Sequence, residues 1–158
     1  MTLIAAADRN WGIGWRGAAL FRLPGDLRQF KERTMGHALL MGRRTYESLP
    51  GLLPGRAHAV LSRDGGFSPP GVTVLRGLEE ARVYARGRET FLIGGGEAYA
   101  ALLGECERAY VTRIDADGGA DTFMPNLDAM PGWRLIETEP WQQEDGLRFR
   151  VCEYIWRF

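Results

Sequence analysis

The chain alternates short, continuous apolar runs with longer segments whose apolar residues recur at helical spacing. Thr2–Ala7, 38–41, 59–61, Val72–Leu75 and 90–93 are apolar at almost every position, the pattern of strands covered on both faces. Between them the period lengthens, and helices are expected from Pro24 to about Gly36, over 43–49, over Leu78–Ala85 and over 97–103. A further strand is expected over Arg108–Ile114. The tail alternates over 133–137 and Leu147–Trp156, which suits an antiparallel hairpin closing the sheet edge. Strands alternating with helices over most of the length predict one α/β domain, residues 1–158. Its core is a mainly parallel twisted sheet of about eight strands with flanking helices. The stretch 10–17 holds three glycines and two tryptophans without periodicity, and reads either as a mobile loop able to cover a site or as plain turns.

One polar residue interrupts an apolar stripe. In a helix begun at Pro24, Leu23, Leu27 and Phe30 fall at i, i+4 and i+7, and Asp26 shares their face. An acid there is costly to ionise unless a neighbour or ligand donates hydrogen bonds to it. The alternative is a first-turn acid that offsets the helix dipole.

Composition narrows the partners. Of 158 residues, 45% are hydrophobic and 25% charged, with net charge zero and a pI near 6.7. That balance argues against a nucleic-acid or anionic-membrane surface as the main partner. All basic residues but Lys31 are arginine. Cys106 and Cys152 follow no metal or redox spacing, and His37 and His58 stand alone. The N-terminal apolar run is too short for a signal or a span, so a cytoplasmic protein with two free thiols is expected.

The candidate chemistry sits where predicted strands end. Gly42-Arg43-Arg44-Thr45 and Ser62-Arg63 place guanidinium and hydroxyl groups after two strands, and Gly94-Gly95-Gly96 opens a helix after a third. Open parallel sheets bind ligands at this end. A guanidinium fork suits a terminal phosphate, and glycines let backbone approach a diphosphate. The glycine run departs from the usual dinucleotide fingerprint, because Tyr99 stands at its third position. An NADPH-like ligand is expected.

Taken together, these stretches resemble bacterial dihydrofolate reductases along essentially the whole chain. The resemblance is carried by Asn10-Trp-Gly-Ile-Gly14, Leu23-Pro-Gly-Asp-Leu27 with Phe30-Lys31, Met41-Gly-Arg-Arg-Thr-Tyr-Glu-Ser48, Leu53-Pro-Gly-Arg56, Leu61-Ser-Arg63, Ile93-Gly-Gly-Gly-Glu-Ala-Tyr99, Tyr110-Val-Thr-Arg-Ile-Asp115 and Asp121-Thr122. It implies an NADPH-dependent reduction of dihydrofolate, inhibited by antifolates such as methotrexate or trimethoprim, in a monomer. Asp26 would be the catalytic residue and hold the pterin ring, a water delivering the proton, with Thr112 bonded to it or reached through a water. Ile4, Ala5, Leu27, Phe30, Leu49, Leu53, Ile93 and Tyr99 would line the substrate, and Arg56 would pair with its glutamate α-carboxylate. Arg43, Ser62 and Arg63 would read the 2′-phosphate of NADPH, with Arg44 and Thr45 on the diphosphate or adenosine side. Gly94, Gly95, Gly96, Glu97, Ala98 and Tyr99 would follow the diphosphate and nicotinamide, with a cis peptide between Gly95 and Gly96. Further cofactor contacts are implied at Ala6, at Ile13, Gly14, Gly17 and Ala18 in a lid spanning 10–21, and at Gly42, Leu61 and Arg76. The segment around Asp121 would steady the closed lid.

The sequence departs from that family where the lid meets the pocket. Leu20-Phe21 replaces the usual Pro-Trp, so the indole N–H that holds an ordered water has no counterpart. Two other readings are weighed: a same-fold pyrimidine reductase of riboflavin synthesis, and a non-catalytic folate- or nucleotide-binding protein. Asp26 and Arg56 favour folate over the first; Phe21 is the sole support for the second.

Overall fold

The structure, a computed structural model, describes residues 1–157. In chain order the elements are β1 (Thr2–Ala7), β2 (Gly12–Trp15), β3 (Ala18–Ala19), α1 (Pro24–Thr34), β4 (Ala38–Gly42), α2 (Arg43–Ser48), β5 (Ala57–Leu61) and β6 (Val72–Leu75). They continue with α3 (Leu78–Ala85), β7 (Thr90–Leu92), α4 (Gly96–Leu102), β8 (Arg108–Ile114), β9 (Thr122–Phe123), β10 (Trp133–Thr138), β11 (Gln142–Glu144) and β12 (Leu147–Trp156).

One sheet runs β10-β12-β8-β1-β7-β4-β5-β6, with β11 paired to β12. The strands from β8 to β6 pair in parallel, and β12 joins β8 antiparallel. The expected closing hairpin is present, but β12 is an interior strand with β8 on one side and β10 on the other. Alternation sorts the apolar residues onto two faces. Leu3, Leu40, Leu92 and Val111 join Tyr84, Leu102 and Trp11 in one cluster, while Ile4, Leu39, Met41, Val60 and Phe91 form another. Leu3, Leu39, Leu40 and Leu92 are completely buried, each contributing roughly 1.5–3 kcal/mol against exposure. Cys106 and Cys152 are free and buried, and no described helix is long and apolar enough to cross a membrane.

The strands flanking β1 open the space that matters. β1 follows β8 along its full length, Thr2 to Ala7, but meets β7 only at Thr2↔Phe91 and Leu3↔Leu92. Beyond Leu3 the two parallel neighbours separate, at the point where strand order reverses about β1. Ala5 and Ala6 are consequently partly covered in a strand whose other residues are buried.

Helix α1 runs beside this opening. Pro24 supplies its fixed φ at the start, and Leu23 offers no side-chain cap. Glu144 caps it from 119 residues away, Oε1 accepting from the Gly25 N–H at 2.7 Å. A side chain at Gly25 would collide with that carboxylate, so glycine permits the approach. At the other end Gly36 adopts a left-handed φ of 81°, as expected of a stop.

The stretch expected to be an irregular loop is ordered as strands. β2 pairs with β3 and with β9, giving a three-stranded sheet apart from the main one. Buried Asp8 sits beneath it: Oδ1 accepts from Asn10 N at 2.9 Å and Gly12 N at 2.8 Å, and Oδ2 accepts from Gly118 N at 2.9 Å. One carboxylate thus joins the turn before β2 to the loop after β8. Replacing Asp8 by Ala strands three amide donors. The expected loss is about 2–4 kcal/mol of unfolding free energy in a urea titration.

Candidate active site

Asp26 projects from the first turn of α1 to β8, where the Thr112 hydroxyl donates to its Oδ1 at 2.5 Å. Thr112 is completely buried and pairs with Ala6 in the strand register, so this contact lies beside the opening in the sheet. Gln29, one turn on, donates through Nε2 to the same Oδ1 at 3.0 Å. Burial pushes the Asp26 carboxyl above its ordinary value. Thr112 and Gln29 oppose the rise, and the charge of Glu144 adds to it. The acid in the apolar stripe is therefore hydrogen-bonded to β8 and to Gln29, not merely a first-turn charge.

Other predicted residues gather at this opening. Ile4 is buried in the second cluster, with Phe30, Leu49, Leu53 and Ile93 packed against it. The expected stripe on α1 is broken: Leu23 enters a third cluster with Ile114 and Phe149, Phe30 enters the second, and Leu27 between them is 50% exposed. Leu23, just before the helix, and Phe30, in its middle, are seated in different clusters, which leaves Leu27 between them uncovered. Phe21 packs with Ala6 against the third cluster, so the residue replacing tryptophan fills a wall. Tyr99 spans the sheet instead of lining it openly. It is buried, and its hydroxyl donates to the Ile4 carbonyl at 2.7 Å.

Arg56 is held in a set direction. Its Nε donates to Pro54 O at 3.1 Å and its Nη1 to Thr34 Oγ1 at 3.3 Å, with no described partner on Nη2. His58, which the sequence left without a role, fixes this loop. The Leu53 N–H donates to His58 Nε2 at 3.0 Å, so Nδ1 carries the proton and donates to Arg56 O, also at 3.0 Å. Burial lowers the His58 pKa, favouring the neutral ring this arrangement requires.

A second group of residues assembles at the ends of β4, β5 and β7. The Gly42 N–H donates to Gly94 O at 2.8 Å, and added side chains at Gly94 or Gly95 would sit 3.4 Å from Thr45 Oγ1. A Cβ on Gly96 would meet Thr122 and the Phe123 carbonyl, with Ile13 at 4.0 Å, so the lid sheet lies against the start of α4. The cis peptide is Gly94–Gly95, one bond earlier than expected. Three successive glycines offer the same chemistry, and β7 ends at Leu92, which sets the turn earlier. Ala98 is buried in the core beneath α4. Gly17, Ala18, Arg44, Arg63 and Glu97 are exposed, whereas Leu61 and Ser62 are half-buried.

Arg43 and Arg76 are already engaged. Arg43 Nη1 pairs with Asp64 Oδ2 at 2.8 Å and its Nε lies 3.5 Å from Glu47, over the face of Phe67. Arg76 donates to the backbone carbonyls of Ser62, Asp64 and Phe67, bracing the loop between β5 and β6. In the 10–21 segment, the Arg16 N–H donates to Asp121 Oδ2 at 2.9 Å and Asp121 N–H to Gly14 O at 3.0 Å. The described residues contain no cluster of three potential metal ligands.

A family model described as Dihydrofolate reductase matches residues 1–156. "Dihydrofolate reductase" of Mycobacterium tuberculosis is 42% identical, over 96% of this chain and 95% of that one. "Dihydrofolate reductase type 3" of Salmonella typhimurium is 37% identical, over 98% and 95%. Among solved structures, dihydrofolate reductase from Enterococcus faecalis, complexed with NADP(H) and RAB-propyl, superposes with a TM-score of 0.90 at 30% identity. That match covers 99% of this chain and 96% of that one.

The raised carboxyl has a consequence for stability. Between its unfolded and its higher folded pKa, the folded protein binds more protons at Asp26, so stability falls as pH rises through that window. Asp26→Asn has no such loss. Thermal melts of the free protein are expected to show the variant gaining on the parent as pH rises, with the gain levelling off above the folded value.

Proposed function

The chain belongs to the dihydrofolate reductase family and reduces 7,8-dihydrofolate with NADPH, and on that premise we propose how its own side chains divide the work. The observation that carries the proposal is Asp26: a carboxylate fixed by Thr112 where β1 parts from β7, with no described protein donor on Oδ2. Such a group recognises a ring edge that presents N–H donors side by side, as pterin does at N3 and the 2-amino group. Ile4 and Ile93 would offer backbone oxygens to the 4-amino group of antifolates such as methotrexate or trimethoprim. Ala5, Leu27, Phe30, Leu49 and Leu53 would wall the rings. Exposed Leu27 is the member with most surface still to bury on binding. Arg56, with Nη2 free and its direction set by Pro54 and Thr34, would pair with the glutamate α-carboxylate.

The residues present suit NADPH. A Cβ on Gly95 would meet only the Thr45 hydroxyl within 4 Å, and Gly42, Gly95 and Gly96 are only partly buried, so a diphosphate would lie along them, with buried Gly94 backed by Tyr99. Ser62, Arg63 and Arg43 would take the 2′-phosphate, with Arg44 beside them. When bound, NADPH supplies the hydride that reaches C6 of the substrate. The chain's part is to orient both rings, to exclude bulk water with the lid, and to govern the proton bound for N5. Asp26 is the only acid among the proposed substrate contacts. We assign it the role of fixing the pterin so that an adjoining water delivers the proton. The family match sets aside the pyrimidine reductase reading. We further propose a cytoplasmic monomer with no nucleic-acid or membrane partner, in keeping with the balanced charge.

Mixing the protein with NADPH and dihydrofolate is expected to give NADPH oxidation that methotrexate blocks; binding without oxidation would overturn the catalytic reading. Asp26→Asn is expected to keep NADPH affinity while losing on the order of 100-fold in turnover at neutral pH. Arg56→Met is expected to raise the dihydrofolate KM about tenfold or more, with the NADPH KM unchanged in steady-state assays.

A further inference from the structure

The amide of Gln29 is not free to choose which end it presents to Asp26. Arg33, four residues on, donates from Nε to Gln29 Oε1 at 2.6 Å, so the amide nitrogen faces the carboxylate. Arg33 Nη2 continues to Glu139 Oε1 at 2.7 Å, and its guanidinium lies 4.1 Å over the ring of Tyr110 on β8. Glu139 follows β10 directly, and its backbone N–H donates to Val151 O on β12 at 2.9 Å. Hydrogen bonds thus run unbroken from a half-exposed glutamate, through two side chains of α1, to the acid at the opening.

We propose that Gln29, Arg33 and Glu139 form a positioning relay that holds Asp26 in register for its ring ligand and loosens its hold on the proton. The proposal rests on the reading of Asp26 given above. Without Arg33, a flipped amide would turn its oxygen toward the carboxylate, which repels it. With Arg33 in place, Thr112 and Gln29 both donate to Oδ1 and stabilise the ionised form. Oδ2 is then the oxygen left for a proton or a ring N–H. The other charged and titratable groups around Asp26 are Glu144 at the start of α1, which favours the protonated acid, and Tyr99 of α4. Burial, then the charge of Asp26, keeps the Tyr99 phenol protonated. Arg33 and Glu139 offset each other as a pair. What reaches Asp26 is therefore the direction of the Gln29 amide more than a net charge.

The relay is tested by carboxyl-carbon NMR titration of the free protein labelled at aspartate, in the parent, Gln29→Leu, Arg33→Met and the double variant. The Asp26 midpoint is expected to move upward in each single variant and no further in the double, because Arg33 acts through Gln29. Gln29→His, which restores a donor, is expected to recover part of the shift. An unmoved midpoint in Gln29→Leu overturns the proposal even where its melting temperature drops, as does additivity in the double variant. Should either α1 variant fail to fold, Glu139→Gln removes the outer charge without touching the helix. A smaller upward shift is expected there, and an unchanged midpoint counts against the relay. In turnover, Gln29→Leu is expected to raise the dihydrofolate KM by on the order of tenfold. The alkaline limb of kcat/KM is expected to move upward, with NADPH affinity unchanged. A midpoint that moves while the limb stays put would leave the relay standing and remove Asp26 as the group that sets the reaction's pH dependence.

Discussion

The early parting of β1 from β7 is the constraint on which the rest depends. A parallel sheet closed along its length would bury Ala5 and Ala6 and leave Asp26 against a wall. Because pairing stops after Leu3 and Leu92, Ala5 and Ala6 beyond are only partly covered, and their small side chains keep the gap open. Chain reversal about β1 brings the ends of β4 and β7 to the same mouth, so ring recognition and the glycine cradle share one opening. No single residue makes the site. It follows from two strands that diverge and from a helix beside the divergence that leaves Leu27 uncovered.

Helix α1 shows how local and distant causes combine. Its start is set locally by Pro24, yet its cap comes from Glu144 on β11, and its acid is fixed by Thr112 on β8. Glu139, just past β10, reaches the same helix at Arg33. The C-terminal hairpin does more than close the sheet. It grips both ends of the element that carries the acid, so a change in the hairpin is felt at the opening without touching it.

The strands were legible in the sequence because a strand covered on both faces is apolar at every position, and no tertiary knowledge is needed to see that. Asp26 was legible for a related reason: an acid breaks an apolar stripe whatever the stripe packs against. Gln29 was not. Whether a glutamine one turn from an acid meets it depends on how the helix rolls onto β8, and spacing does not give that roll. The exposure of Leu27 has the same origin. The strands β2, β3 and β9 escaped notice because they are only two to four residues long, and β9 pairs with β2 from about a hundred residues away. Arg56 was placed by family resemblance alone, since an arginine in a loop carries no local sign of its target; Arg43, Arg44 and Arg63 stood out by following predicted strands, and the resemblance added only which phosphate each would meet.

Asp64 alters what it means for a ligand to reach Arg43. The guanidinium is not waiting uncompensated; Asp64 already sits on it, braced by the Gly66 N–H and by the loop that Arg76 ties together. An anion approaching the Nη1 side of Arg43 competes with a resident carboxylate, and its gain there is the difference between two ion pairs, not the formation of one. Because that pair is exposed to solvent, the difference is small.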